Sequence, residues 1–231
     1  LDCLRTAVPS ERQLKQMLRN RRAWTTAEPP AWDVLDLLRQ QPETTVVTCT
    51  RRACALVNGL AANVLFRDRH KRPLGTLPLD YEVNEANYMA DGQLRPGRLA
   101  PMDTEIFRGE RLFLTKNIDK QNSFVNGMAA VVEDYDEDSR CLQVLTKTGT
   151  RLAVHLYTED EDHGRVTCFP ARLGYASTIQ KIQGSTLPHV TIWLDRPLCR
   201  AAAYVAMSRV QRDEDYLLAG SLLPKHFVPA Q

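Results

Sequence analysis

The sequence predicts an α/β protein that carries a small all-β insertion, and three observations predict it. Thr44-Thr45-Val46-Val47-Thr48-Cys49 is β-branched and apolar without alternation, as in a strand covered on both faces, and it runs straight into a helical period. Four short strand candidates then fall between residues 111 and 156, separated by turn signals, which reads as a small β-barrel. After residue 170 the pattern of helix and buried strand returns.

The elements follow in order. Pro9-Ser10-Glu11-Arg12-Gln13 opens a helix with a capping-box pattern, and Leu14, Met17 and Leu18 line one face of a helix expected to run to about Arg22. Residues 25–30 break the chain, and Trp32, Leu35 and Leu38 give a second helix at about 31–40. From Arg51 the helical set Ala53, Leu56, Val57, Leu60, Ala61 and Val64 faces inward. Residues 73–108 hold four prolines and no sustained period, so they are expected to be connection with one irregular strand.

The β candidates are 111–115, 129–132, 141–145 and 152–156, with a turn at Asn126-Gly127 and a hairpin at Thr148-Gly149-Thr150. The acidic stretches Glu133–Asp138 and Glu159–Asp162 are expected to be solvated loops. Beyond them come a helix near 175–183 ending at Gly184, a buried strand His189–Leu194, a helix near 200–208 and a last strand Tyr216–Ala219.

Composition bounds the rest. With 231 residues, 43% hydrophobic and 25% charged, whole-chain disorder is excluded, and the length supports a core without staples. Six cysteines, at 3, 49, 54, 141, 168 and 199, form no CxxC pair and no spacing that His completes into a zinc site. We read them as free thiols in a reducing intracellular compartment: nucleus or mitochondrion for a eukaryotic relative, cytoplasm for a bacterial one. No run approaches the ~18 apolar residues of a membrane span, and no signal-peptide core is present, so no membrane partner is expected. The chain begins with Leu rather than Met, and we expect it to be a piece of something longer. Net charge is +2, from 30 basic and 28 acidic side chains, which says nothing about nucleic acid. Clusters such as Arg19–Arg21–Arg22 and Arg67–Arg69–Lys71–Arg72 face either phosphates or simply water.

Three segments carry a more specific message. Residues 173–195, LGYASTIQKIQGSTLPHVTIWLD, resemble a late motor motif of superfamily 1 helicases, with Gln180 where His or Asn is usual and Ile182 where Ser or Ala is usual. Residues 203–220, AYVAMSRVQRDEDYLLAG, resemble the motif that follows it, and 108–132, RGERLFLTKNIDKQNSFVNGMAAVV, resembles the start of the SH3-like barrel of the RecD-related and PIF-type branch. The resemblance implies a second RecA-like (P-loop NTPase-type) motor domain over 45–107 and 167–231, with an SH3-like β-barrel inserted at 108–166. Residues 1–44 would then be a helical segment leading from a first motor domain that is missing.

What the resemblance implies for function is ATP-dependent 5′ to 3′ translocation on single-stranded DNA. Arg209 would be the arginine finger, Gln183 and Gly184 the γ-phosphate sensor, and Arg51 a further nucleotide contact. Thr178, Gln180, Lys181, Lys116 and Asn126 would touch the DNA strand. Each residue also has a plainer alternative. On a helix, Thr178 and Lys181 share a face and could hold successive phosphates, but Lys181 reads equally as a solvated lysine. Gly184 reads also as a helix C-cap, and Arg209 as a cation placed favourably at a helix C-terminus. No Gly-x-x-x-x-Gly-Lys-Ser/Thr loop occurs in the sequence, and no adjacent Asp-Glu pair follows a buried strand in the Walker-B manner. ATP and Mg²⁺ would therefore need the missing domain, which would supply the metal ligands, and the chain alone is expected to be inactive. The alternative is a non-catalytic nucleic-acid- or partner-binding module derived from a helicase.

Overall fold

The computed structural model describes residue 4 and residues 6–80, 101–122, 124–161, 164–196 and 199–229. They form two compact units, Leu1–Asp68 with Tyr175–Gln231, and Arg69–Gly174. In chain order the elements are α1 (Glu11–Met17), α2 (Ala31–Gln40), β1 (Thr44–Thr48), α3 (Arg51–Leu65), β2 (Gly75–Leu79), β3 (Met102–Ile106), β4 (Arg111–Leu114), β5 (Ala129–Asp136) and β6 (Cys141–Thr146). There follow β7 (Arg151–Val154), β8 (Tyr157–Glu161), β9 (Gly164–Cys168), β10 (Ala171–Leu173), β11 (Ala176–Thr178), β12 (His189–Trp193), α4 (Ala202–Met207) and β13 (Tyr216–Ala219).

In the first unit, β11, β1, β12 and β13 lie side by side in that order as a parallel sheet. Val46 points to a cluster with Trp24, Leu37, Ala53, Val57 and Ala176, whereas Val47 points to one with Leu14, Ile179, Ile192, Met207 and Phe227. Both faces of β1 are thus covered, which is why its sequence does not alternate. Each fully buried valine contributes roughly 1.5–3 kcal/mol.

α1 starts with the reciprocal capping box: Ser10 Oγ accepts from the Gln13 N–H at 3.3 Å, and Gln13 Oε1 accepts from the Ser10 N–H at 2.8 Å. The helix stops at Met17 rather than near Arg22, because Asn20 takes φ 61° and the next residues run beside β13. There Leu218 N–H donates to Arg21 O at 2.7 Å, Ala23 N–H to Leu218 O at 2.9 Å and Gly220 N–H to Trp24 O at 2.9 Å. Arg21 lies over the Tyr216 ring and pairs with Asp213 at 2.5 Å, while Trp193 Nε1–H donates to Ala27 O at 3.0 Å. Residues 21–27 therefore cover the β13 edge.

The second unit is antiparallel, with a five-stranded sheet in the order β10-β4-β5-β6-β7 and two hairpins, β2–β3 and β8–β9. All four strand candidates between 111 and 156 are strands, but three expectations are corrected. Residues 75–79 and 102–106 are two paired strands, not one irregular strand within connection; the residues between them, 81–100, lie outside those described. Pro78 hides the pairing from sequence because it cannot donate to a ladder. The acidic stretches are strand as well: Glu133–Asp136 belong to β5, and Glu159–Glu161 belong to β8, bonded to β9. Charge marks solvent exposure, and the outward face of the central strand β5 or the two-stranded ribbon β8–β9 satisfies that as well as a loop does. Third, no helix spans 175–183: β10 pairs with β4, and β11 joins the parallel sheet.

The burial of His189 and His226 predicts that the stability of the first unit depends on pH. His189 Nδ1 lies 2.7 Å from Thr44 Oγ1, which lies 2.9 Å from Thr191 Oγ1. Burial lowers the His189 pKa below its ordinary 6.5 against the opposing charge of Asp215, and burial together with Lys225 lowers that of His226. Below the unfolded pKa the unfolded chain takes up protons first, so stability that is full above it is lost as pH falls through the folded values. The thermal midpoint is expected to drop between about pH 7.5 and about pH 5.5, and His189→Gln should flatten that drop. A wild-type midpoint constant across the window would contradict this.

Candidate functional site

Parallel sheets present their functional loops where strands end, and β1 and β11 end together, Thr48 opposite Thr178. Ile179 N–H extends the pairing by donating to Thr48 O at 3.0 Å. The placement of β11 depends on Asn58, a fully buried polar residue in α3. Its Oδ1 accepts from Tyr175 N–H at 3.0 Å and Ala176 N–H at 2.9 Å.

The segment read as a helix leaves β11 through successive tight turns, with Lys181 N–H donating to Thr178 O at 3.0 Å and Ser185 N–H to Ile182 O at 3.1 Å. These three-residue steps put Ile179 and Ile182 on the buried side and Gln180, Lys181, Gln183 and Gly184 on the exposed side. The structure therefore separates Thr178 from Lys181: Thr178 is buried at the strand end, and Lys181 faces out from the turn. Gly184 takes φ 80° with nothing within 4 Å of a Cβ, so conformation and not crowding requires glycine there.

Arg209 follows α4, and its carbonyl accepts from Leu187 N–H at 2.9 Å. Its Nε–H donates to Val205 O at 3.0 Å and its Nη2–H to Ser208 Oγ at 2.8 Å, so the guanidinium satisfies the end of its own helix. Because β12 and β13 are parallel, α4 returns the chain to the amino-terminal side of the sheet, where Leu187 also precedes β12. Arg209 and Leu187 thus mark one end of the β11–β12 connection, and Thr178 marks the other. Arg51, exposed at the start of α3, belongs with Thr178 at the carboxyl-terminal edge and is not brought to Arg209.

Sequence reasoning passed over the residues that fix this edge. Thr50 is the α3 N-cap, its Oγ1 accepting from Ala53 N–H at 3.1 Å. The same hydroxyl donates to Asp195 Oδ2 at 2.5 Å, and Asp195 Oδ1 accepts from Cys49 N–H at 2.7 Å and Thr50 N–H at 3.3 Å. The Cys49 thiol is pushed up to about 12 by burial, then by the Cys199 thiol and Asp195, so it stays protonated. The available signals were, for Thr50, a threonine directly before the helical period and, for Asn58, a polar side chain inside an apolar stripe. Nothing in the sequence marked Asp195. Among the described residues no group of three or more His, Cys, Asp or Glu is arranged to hold a metal ion.

Two further candidate residues lie in the second unit. Lys116 pairs with Glu159 beside the Tyr157 ring; burial alone would lower its pKa, but the bond and charge of Glu159, with Asp80 and Tyr157, raise it on balance. Asn126 is exposed, and its N–H donates to Asn117 Oδ1 at 2.9 Å.

No family model matches the chain. Among curated proteins it is 33% identical over 109 residues to human ATP-dependent DNA helicase PIF1, a match covering 45% of this chain and 17% of that one. It is 30% identical over 113 residues to Campylobacter jejuni ATP-dependent DNA helicase Pif1, covering 42% of this chain and 25% of that one. The chain thus matches a quarter or less of the length of these relatives. Among solved structures, a Pif1 helicase from work on unwinding at forked duplex DNA superposes with a TM-score of 0.65 at 18% identity, over 99% of this chain and 48% of that one. Bacteroides Pif1 in complex with ADP-AlF3 and single-stranded DNA gives 0.56 at 21%, over 93% and 50%. The chain resembles Pif1-type superfamily 1 helicases in sequence and shares their fold over nearly its whole length.

The Asn58 clamp yields a test. Asn58→Ala strands two buried N–H groups and is expected to cost about 2–6 kcal/mol in chemical denaturation, at ~1–3 kcal/mol per orphaned donor. A loss under about 0.5 kcal/mol would show that β11 is held by something else.

Proposed function

We propose that this chain is the C-terminal part of an ATP-dependent 5′ to 3′ DNA helicase. It comprises the second RecA-like motor domain, over 45–107 and 167–231, and an SH3-like barrel insertion at 108–166, with residues 1–44 leading from a first motor domain. The observation that carries this reading is the β11–β12 connection, which reaches from the carboxyl-terminal edge of the sheet, beside Thr178 and Arg51, to Leu187 and the Arg209 backbone on the opposite side. One short segment can thereby couple a strand grip to a nucleotide sensor. The relatives' naming as ATP-dependent DNA helicases, and the neighbour's complex with ADP-AlF3 and single-stranded DNA, support it.

In this reading ATP is the substrate, and Mg²⁺ is held by the first motor domain. Gln183 and Gly184 sense the γ-phosphate from an exposed turn, and Arg209 leaves its helix end to neutralise charge growing in the transition state. Gln180, Lys181 and, from its position, Arg51 grip the phosphates of a single strand, while Lys116 and Asn126 of the barrel guide it. Closure of the two motor domains on ATP and reopening after hydrolysis would convert this grip into steps.

One observation favours a second reading, a non-catalytic binding module: the Arg209 guanidinium is already satisfied by Val205 and Ser208. Two measurements decide. The 231-residue chain should bind single-stranded oligonucleotides with strong salt dependence and release no phosphate from ATP, and Lys181→Ala should flatten the slope of log K against log salt by ~0.7. An unchanged slope returns Lys181 to the solvated surface. With a first motor domain joined, Arg209→Lys should lower kcat by at least ~10² at little cost in stability, because lysine keeps the charge and loses the planar fork. Near-wild-type turnover would leave Arg209 a helix cap and remove the finger, whereas no turnover from the joined wild-type protein would favour the module.

A further inference from the structure

We infer that Asp195 is a positioning residue, holding the Cys49–Thr50 turn so that Arg51 meets the nucleic-acid backbone at the carboxyl-terminal edge of the sheet. This rests on the strand-gripping role proposed for that edge. In the order β11-β1-β12-β13 the connection after β1 leads to β11 on one side and that after β12 leads to β13 on the other, so the carboxyl ends of β1 and β12 flank a topological switch point, the place where open α/β sheets form a ligand crevice. Asp195 lies at the end of β12 and reaches across that crevice with both oxygens. One takes the Cys49 and Thr50 N–H groups at 2.7 and 3.3 Å, and the other takes the Thr50 hydroxyl at 2.5 Å.

Thr50 is thereby fixed in both roles of its hydroxyl, donating to Asp195 and accepting from Ala53 N–H at 3.1 Å. The next residue is Arg51, at the first position of α3, where the direction of its side chain follows from the cap. Among the described residues no salt bridge involves Asp195, so its partners are all groups of the turn. A carboxylate placed near a phosphate path repels it. Its net effect on binding has one sign if it acts only through charge and the opposite sign if it acts through geometry. By Coulomb's law alone, neutralising Asp195 tightens the binding of an anionic strand. Loss of the Thr50 hydroxyl's acceptor releases the turn and weakens it.

The test uses the 231-residue chain and a fluorescent oligothymidylate, with affinity measured by anisotropy across a salt series. Asp195→Asn keeps an acceptor for the backbone N–H groups but presents an amide to the Thr50 hydroxyl. It should weaken binding about three- to tenfold and flatten the salt slope by ~0.7, one single-strand phosphate contact. Arg51→Ala should flatten the slope equally, and the double variant should lose no more than either single one. Should Asp195→Asn fail to fold, as judged by circular dichroism, Thr50→Val and Thr50→Ser decide: valine reproduces the loss and serine does not. Equal or tighter binding by folded Asp195→Asn, full additivity with Arg51→Ala, or wild-type binding by Thr50→Val overturns the positioning role alone. No oligonucleotide binding by the unmutated chain overturns the strand-gripping reading of the edge, and this inference with it.

Discussion

One buried amide holds the first unit in register. Asn58 sits in α3 with its oxygen bonded to the Tyr175 and Ala176 N–H groups, so the helix that follows β1 also determines where β11 begins. β11 is only three residues long, too short to secure its place by ladder bonds alone. Everything beyond it inherits that placement: the strand-end pairing of Thr48 with Thr178, the turns that expose Gln180 and Lys181, and the glycine turn at 184. A polar group in a core is costly unless satisfied, and here its satisfaction joins two segments more than a hundred residues apart in sequence.

The connection after β11 shows how buried and exposed positions divide the work. Ile179 and Ile182 anchor it in the core that contains Val47, Ile192 and Met207, and the intervening residues are carried outward on that anchor. The isoleucine at 182, where Ser or Ala is usual in the resembling motif, is buried in that core beside Ile179. The hydrogen bond between Leu187 and Arg209 then ties the segment to the end of α4.

Much of the first unit was legible. The capping box at Ser10, the helix at 31–40, β1 with its unalternating apolar run, the long helix from Arg51 and the strands at 189 and 216 all follow from local pattern and burial. The helix expected at 175–183 did not form because an Ile179/Ile182 spacing of three is also what consecutive tight turns produce, and periodicity cannot tell the two apart over so few residues. The acidic strands were hidden because charge reports exposure and not backbone state. The motif residues themselves were recognisable only through family resemblance. Asp195 was beyond reach, since its partners at 49 and 50 are brought to it only by the pairing of β1 with β12.

The segment 21–27 that runs along β13 also occupies an edge on which copies of the chain would otherwise be able to pair. An open parallel sheet ends in a row of unpaired amides and carbonyls, a template on which another chain can add a strand. Arg21, Ala23 and Trp24 supply the partners for Leu218 and Gly220, with Arg21 fastened by Asp213 and Tyr216. A single protease cut that releases this strip would uncover the edge and the apolar Trp24 contact with Trp193 together. That stretch holds none of the candidate-site residues, and a preparation clipped there would be expected to self-associate while its motif residues remained intact.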